Sequence, residues 1–149
     1  MQSLNFLLGK YKCILTSSLG AGSVTLYETT TSILGGNYYQ MSVEIPGKLN
    51  GYQTYGWNPV NHDYIGQYFD DGSTTGVATS PGWQDSKLNF AGQYVFVEAS
   101  GGSSGMGTGA DVPETDSWVI AGPGHHLDNV TYDLGGATGT ASYDCTIIR

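Results

Sequence analysis

Aromatic residues in this chain recur at alternate positions in short runs, and each run stands beside a glycine-led turn. Gly9-Lys10-Tyr11, Leu34-Gly35-Gly36-Asn37-Tyr38-Tyr39, Gly56-Trp57-Asn58-Pro59 and Asp63-Tyr64-Ile65-Gly66-Gln67-Tyr68-Phe69 carry the pattern most clearly. A period of two puts alternate side chains on one face of a strand, whereas a helix needs a period near 3.6. Turn signals follow one another at short, even intervals with no helical run between them, which excludes a parallel sheet built from βαβ units. The expected architecture is a single all-β domain spanning residues 1–149, an antiparallel up-and-down barrel of about ten strands whose interior is lined by rings.

Composition narrows the function classes. Glycine contributes 23 of 149 residues and charged residues only 12%, about half the usual share, which suits many short strands and tight turns. Thirteen acids stand against five bases, a net charge of −8. So few bases cannot follow a phosphate backbone or dock on an anionic bilayer, so neither nucleic acid nor membrane is expected as a partner. Met1 to Leu8 lacks a basic stretch and its apolar run is short for a leader, so a cytoplasmic location is expected. The expected assembly is a monomer or homodimer. Cys13 and Cys145 do not make a disulfide framework. Barrel closure would set the first and last strands side by side, and in a reducing compartment two free, buried thiols are expected.

Strands are expected at 11–16, 24–33 and 38–45, then as a hairpin at 52–57 and 62–69 over Asn58-Pro59-Val60-Asn61. Further strands follow at 73–79, 87–91, 93–99, 115–120, 129–134 and 140–148. Residues 2–8 suit one helical turn that plugs a barrel end with Leu4, Leu7 and Leu8 facing inward. The glycine-rich stretch 100–113 reads as a loop at the barrel mouth, either a lid or a plain hairpin tip.

Several of these motifs together resemble the calycin superfamily, and most closely a bacterial family of lipocalin-like barrels. Leu7-Leu8-Gly9-Lys10-Tyr11 resembles that family's opening Leu-x-Gly-x-Trp, with Tyr11 in the Trp place. Tyr27-Glu28-Thr29 is similar to its Glu-Thr, and Leu34-Gly35-Gly36 to its Leu-Gly-Gly turn. Gly56-Trp57-Asn58-Pro59 resembles its Gly-Tyr-Asp-Pro, and Tyr64-Ile65-Gly66-Gln67-Tyr68 its Phe-x-Gly-x-Trp. Arg149 stands where the family ends in a Tyr-x-Arg run. The resemblance implies a barrel with a cavity and no established chemistry. It also implies a structural contact in which Tyr11 closes the barrel floor and Arg149 lies over its ring, a cation–π pair worth about 0.5–2 kcal/mol.

Chemistry-bearing residues are few. Glu28 shares a strand face with Val24, Leu26 and Thr30. Turned inward, it is either a buried acid suited to proton transfer or a structural anchor. Glu44, beside Tyr38, Gln40 and Ser42, belongs at the rim. Tyr38, Tyr52, Tyr64, Tyr68, Tyr94, Tyr132 and Tyr143 occupy strand positions, and each offers an apolar wall with one polar handle. The expected ligand cavity is bounded by Tyr38, Tyr52, Trp57, Tyr64, Tyr68 and Trp118, with Glu28 and Tyr64 as candidate catalytic groups. His62, His125 and His126 read as turn or loop residues with no second ligand spaced for zinc, so neither metal nor cofactor is expected. The alternative of His125 or His126 as an axial haem ligand follows only by analogy with haem-bearing calycins. No nucleophile elbow is present. Three functions fit: binding of a small apolar or aromatic molecule, a cofactor-free cyclase or isomerase of specialised biosynthesis, and haem binding.

Overall fold

The computed structural model describes residues 2–20, 22–96 and 109–149. Eleven strands form one antiparallel sheet: β1 Gly9–Ser17, β2 Ser23–Ile33, β3 Tyr38–Ile45, β4 Leu49–Asn58, β5 Asp63–Asp70, β6 Thr75–Ser80, β7 Trp83–Gln84, β8 Lys87–Phe96, β9 Ala110–Gly122, β10 His125–Asp133 and β11 Thr138–Ile148. Each strand pairs with the next in sequence except β6, which pairs with β8 past the two-residue β7, and β11 returns to β1. Ten strands therefore close a ring and leave no open edge among them. No described helix is long and apolar enough to cross a membrane.

Local chemistry explains the turns. Asn58 Oδ1 accepts hydrogen bonds from the Val60 and Asn61 backbone at 3.0 and 3.3 Å, an Asx turn that sends β4 back into β5. Asp70 Oδ1 accepts from the Thr74 amide at 2.9 Å and folds β5 towards β6. Residues 87–96 form one strand rather than two, because Gly92 does not break it. A Cβ on Gly92 would lie 2.1 Å from the Val77 carbonyl oxygen, so glycine there lets β8 press against β6 and close the ring.

One barrel end is sealed, and we call it the floor. A 3-10 turn over Gln2–Leu7 buries Leu4 and Leu7 completely against Tyr39, Tyr55, Phe90 and Trp118. Each leucine contributes about 1.5–3 kcal/mol by leaving water. Tyr11 Oη donates to the Phe6 carbonyl at 2.6 Å and Tyr39 Oη donates to Asn5 Oδ1, which ties the plug to β1 and β3. The opposite end, where β2, β4, β6, β9 and β11 begin, is the mouth. Of the stretch read as a mouth loop, 100–108 lies outside the described residues, and 110–113 belongs to β9.

The cysteines depart from expectation. β1 and β11 do lie side by side, but Cys13 stands directly opposite Cys145 and the two form a disulfide. Both side chains point inward from opposed positions, which brings the sulfurs into bonding reach. The bridge joins positions 132 residues apart across the closing seam. In the chain-entropy view a loop of that size removes on the order of 5 kcal/mol from the unfolded state.

Candidate functional site

Above the floor the barrel is hollow. A cavity of about 360 Å³ opens towards the mouth, within the size range of small-molecule sites, so the barrel could hold a ligand. Its walls differ. Strands β2 to β4 contribute Leu26, Met41, Val43, Ile45 and Leu49, with Glu28 and Gln53 as their polar members. Strands β9 and β10 contribute Glu114, Asp116, Trp118, Asp128 and Tyr132. Tyr68, Tyr94 and Tyr143 line it too, with Leu15, Asp70, Thr74, Phe96 and Val130. No Lys, Arg or His is among the described residues that line it.

Strand alternation places the acids. On β9, Val112, Glu114, Asp116 and Trp118 are all buried, while Pro113 and Thr115 between them are exposed. On β10 the same parity turns His126, Asp128 and Val130 inward. The Trp118 indole donates to Asp116 Oδ2 at 2.7 Å. Asp116 and Asp128 lie on neighbouring strands close enough for their carboxyls to interact. Burial, then the Asp116 charge, pushes Asp128 well above the usual carboxylate range. Burial also raises Asp116, opposed by its interactions with Asp128 and Trp118. Burial, reinforced by Asp116, pushes Glu114 up to about 8. Neither Asp116 Oδ1 nor Asp128 Oδ1 has a hydrogen-bond partner. The same desolvation, with the acids beside them, raises Tyr94, Tyr132 and Tyr143, so these phenols stay protonated donors at neutral pH.

The residues expected at the site are divided. Glu28 is inward and buried, and it lines the cavity with Tyr68 and Trp118. Tyr94, Tyr132 and Tyr143 line it as well. Tyr64 is inward but packs into the floor with Tyr55 and Leu88, and it does not line the cavity. Trp57 sits at the floor end of β4, partly exposed and edge-on to Tyr64 at 4.9 Å. Tyr38 and Tyr52 lie on the outer face, 42% and 45% exposed. Tyr38 covers Gly56 from outside, and Tyr52 packs on Phe69 at 5.7 Å. On β3 the inward residues are Tyr39, Met41, Val43 and Ile45, and the outward set is Tyr38, Gln40, Ser42 and Glu44. The apolar character of the odd positions marks the inner face, and adjacent tyrosines obscure it. Glu114, Asp116 and Asp128 were missed. Val112 and Trp118 on the same parity carry the signal for the first two, and Val130 and Tyr132 carry it for the third.

Tyr11 does not meet Arg149. Its ring is covered by His126 at 4.6 Å, and among the described residues the cation–π pair is Lys10 over Tyr27. The neighbouring histidines are strand residues with opposite fates. His125 faces outward and pairs with exposed Asp144 at 2.8 Å. His126 is 1% exposed and packs between Tyr11, Phe6 and Trp118, outside the cavity lining. Its Nε2 lies 3.6 Å from Glu28 Oε2. Cys13, Cys145, Glu28 and His126 each offer one ligand-type atom, all within 4.8 Å of one another, with the two sulfurs joined in the disulfide.

Comparison with known protein families finds no matching model, and comparison with curated proteins finds no relative.

Proposed function

We propose that this barrel binds a small molecule with an apolar or aromatic body and a cationic nitrogen, body against β2 to β4 and nitrogen against β9 and β10. The observation behind this reading is the pair of buried, unpartnered oxygens Asp116 Oδ1 and Asp128 Oδ1 in a cavity with no Lys, Arg or His among its described lining residues. Buried carboxyls without partners are costly, and an ammonium group would supply both charge and hydrogen bonds. Trp118, Tyr94 and Tyr132 add electron-rich faces suited to a cation.

A second reading has its own support. Asp116 and Asp128 are neighbouring buried carboxyls that are both raised, and a proton on one beside the charge of the other would suit proton transfer in a cyclisation or isomerisation. In that reading the dyad, with Glu28 beside the cavity, replaces Tyr64 as the candidate chemistry.

Two probes separate charge from shape: 4-phenylbutylamine and its neutral counterpart 4-phenylbutanol, titrated against tryptophan fluorescence. The amine should bind at least about tenfold more tightly, and Asp128→Asn should abolish that preference. Equal affinity for the two probes would refute a cation site.

A further inference from the structure

The four-residue cluster beside the plug is separate from the cavity's acid pair, and it holds the one described side chain with two bare buried polar atoms. His126 is buried at 1% exposure, and neither Nδ1 nor Nε2 has a hydrogen-bond partner. A buried polar atom without a partner is unfavourable, and a ligand that satisfies it is favoured. The register explains who surrounds it. Cys13 on β1 faces Cys145 on β11, and Cys145 faces His126 on β10, so three side chains fill one row across three strands. Glu28 enters from β2, where it pairs with Tyr11 beside that row. Its Oε2 lies 3.6 Å from His126 Nε2 and 3.8 Å from Cys145 Sγ. Both cysteines are fully buried and Glu28 is 5% exposed.

We propose that reduction of the Cys13–Cys145 disulfide converts this cluster into a buried zinc site with Cys13, Cys145, His126 and Glu28 as its four ligands. Two thiolates, one imidazole and one carboxylate are the donors that tetrahedral zinc takes, with bonds of about 2.0–2.3 Å. A spread of at most 4.8 Å among the ligand atoms leaves small side-chain rotations to complete the geometry. The rings of Tyr11, Phe6 and Trp118 pack around the imidazole and hold its orientation. The chemistry balances with a dithiol as reductant. Its two sulfurs leave as a disulfide, and two electrons and two protons pass to Cys13 and Cys145. Zinc then displaces both thiol protons to solvent and binds the neutral imidazole and the Glu28 carboxylate. Disulfide and metal exclude each other because both use the same sulfurs. Either state ties β1 to β11, so the barrel seam is held by a covalent bond when oxidised and by the ion when reduced.

The full chain, reduced with dithiothreitol and desalted under argon, is titrated with Co²⁺ in place of zinc. One equivalent should produce thiolate-to-cobalt charge-transfer bands together with the strong visible bands of a tetrahedral ion. The oxidised chain should produce neither. His126→Phe, which fills the aromatic surroundings, and Glu28→Gln should retain the barrel by circular dichroism and weaken cobalt binding at least about tenfold. Zinc should raise the melting temperature of the reduced chain and leave that of the oxidised chain unchanged. A folded, reduced chain without charge-transfer bands overturns the proposal. So does undiminished binding by His126→Phe, which would mean adventitious capture by two thiols. A reduced chain that loses its barrel and does not regain it with zinc overturns it too.

Discussion

The floor and the hollow above it are built on the same ten strands with the same alternation, yet they use their inward positions in opposite ways. At the floor, Leu4, Leu7, Tyr39, Tyr55, Leu88, Phe90 and Trp118 interlock without a charged group among them. One turn higher, Glu114, Asp116 and Asp128 face inward around open space. A layer packed with rings needs no partner from outside. A layer of buried carboxyls without bases is incomplete by itself, and the fold tolerates it because the floor and the closed hydrogen-bonded ring supply the stability. The contrast shows that a barrel can separate its structural layer from its binding layer along one axis.

The largest effect should come from hollowing the floor. Tyr55 is 1% exposed and its ring meets Phe90 and Trp118. Tyr55→Ala should destabilise the barrel by about 3–5 kcal/mol in urea denaturation. A loss below about 1 kcal/mol would mean that the floor is not the structural layer.

The acidic layer should reveal itself through pH. Glu114 is raised in the folded chain from 4.5 to about 8. The folded state therefore holds a proton that the unfolded state releases first, and stability is greatest below the unfolded value. It should fall as pH rises from about 5 to about 8, by up to about 1.4 kcal/mol per pH unit for this group. Asp116 and Asp128, also raised, act in the same direction. Glu114→Gln should flatten the melting-temperature profile over that range. A profile identical to the parent chain would remove Glu114 from the buried set.

Closure of the ring is the next test. Gly92→Ala would bring a Cβ to 2.1 Å from the Val77 carbonyl oxygen and 2.5 Å from the Ala78 Cα, and both are backbone atoms that cannot turn aside. A loss of about 1–3 kcal/mol in urea denaturation is expected. Gly76→Ala would meet the Tyr94 ring at 2.4 Å, on the cavity side. It should shift ligand affinity more than Gly92→Ala does, and the reverse order would place Tyr94 outside the binding layer.

The smallest effect is also at the floor. Tyr55 Oη is buried without a hydrogen-bond partner. Tyr55→Phe should therefore alter stability by less than about 1 kcal/mol, or raise it, because no bond is lost and one desolvated hydroxyl disappears. A clear loss in calorimetry would reveal a partner for that hydroxyl.

Sequence alone determined the architecture. Period-two aromatics, evenly spaced turns and the missing helical period specify an antiparallel barrel, since each is a local property of backbone and side-chain geometry. Glu28, Tyr68 and Trp118 could be placed inside by parity along single strands, and the plug of Leu4 and Leu7 by their spacing in one helical turn. Tertiary structure decided whatever depends on how separate strands meet. The register of β1 against β11 pairs Cys13 with Cys145, and that of β10 against β11 brings His126 to them, more than a hundred residues from Cys13. The acid pair arises from the meeting of β9 and β10, and burial there, which no local pattern states, makes its protons hard to remove. A strand records its own alternation, but which side chains share a row is a property of the closed ring, because a shift of one residue in any pairing exchanges inside for outside.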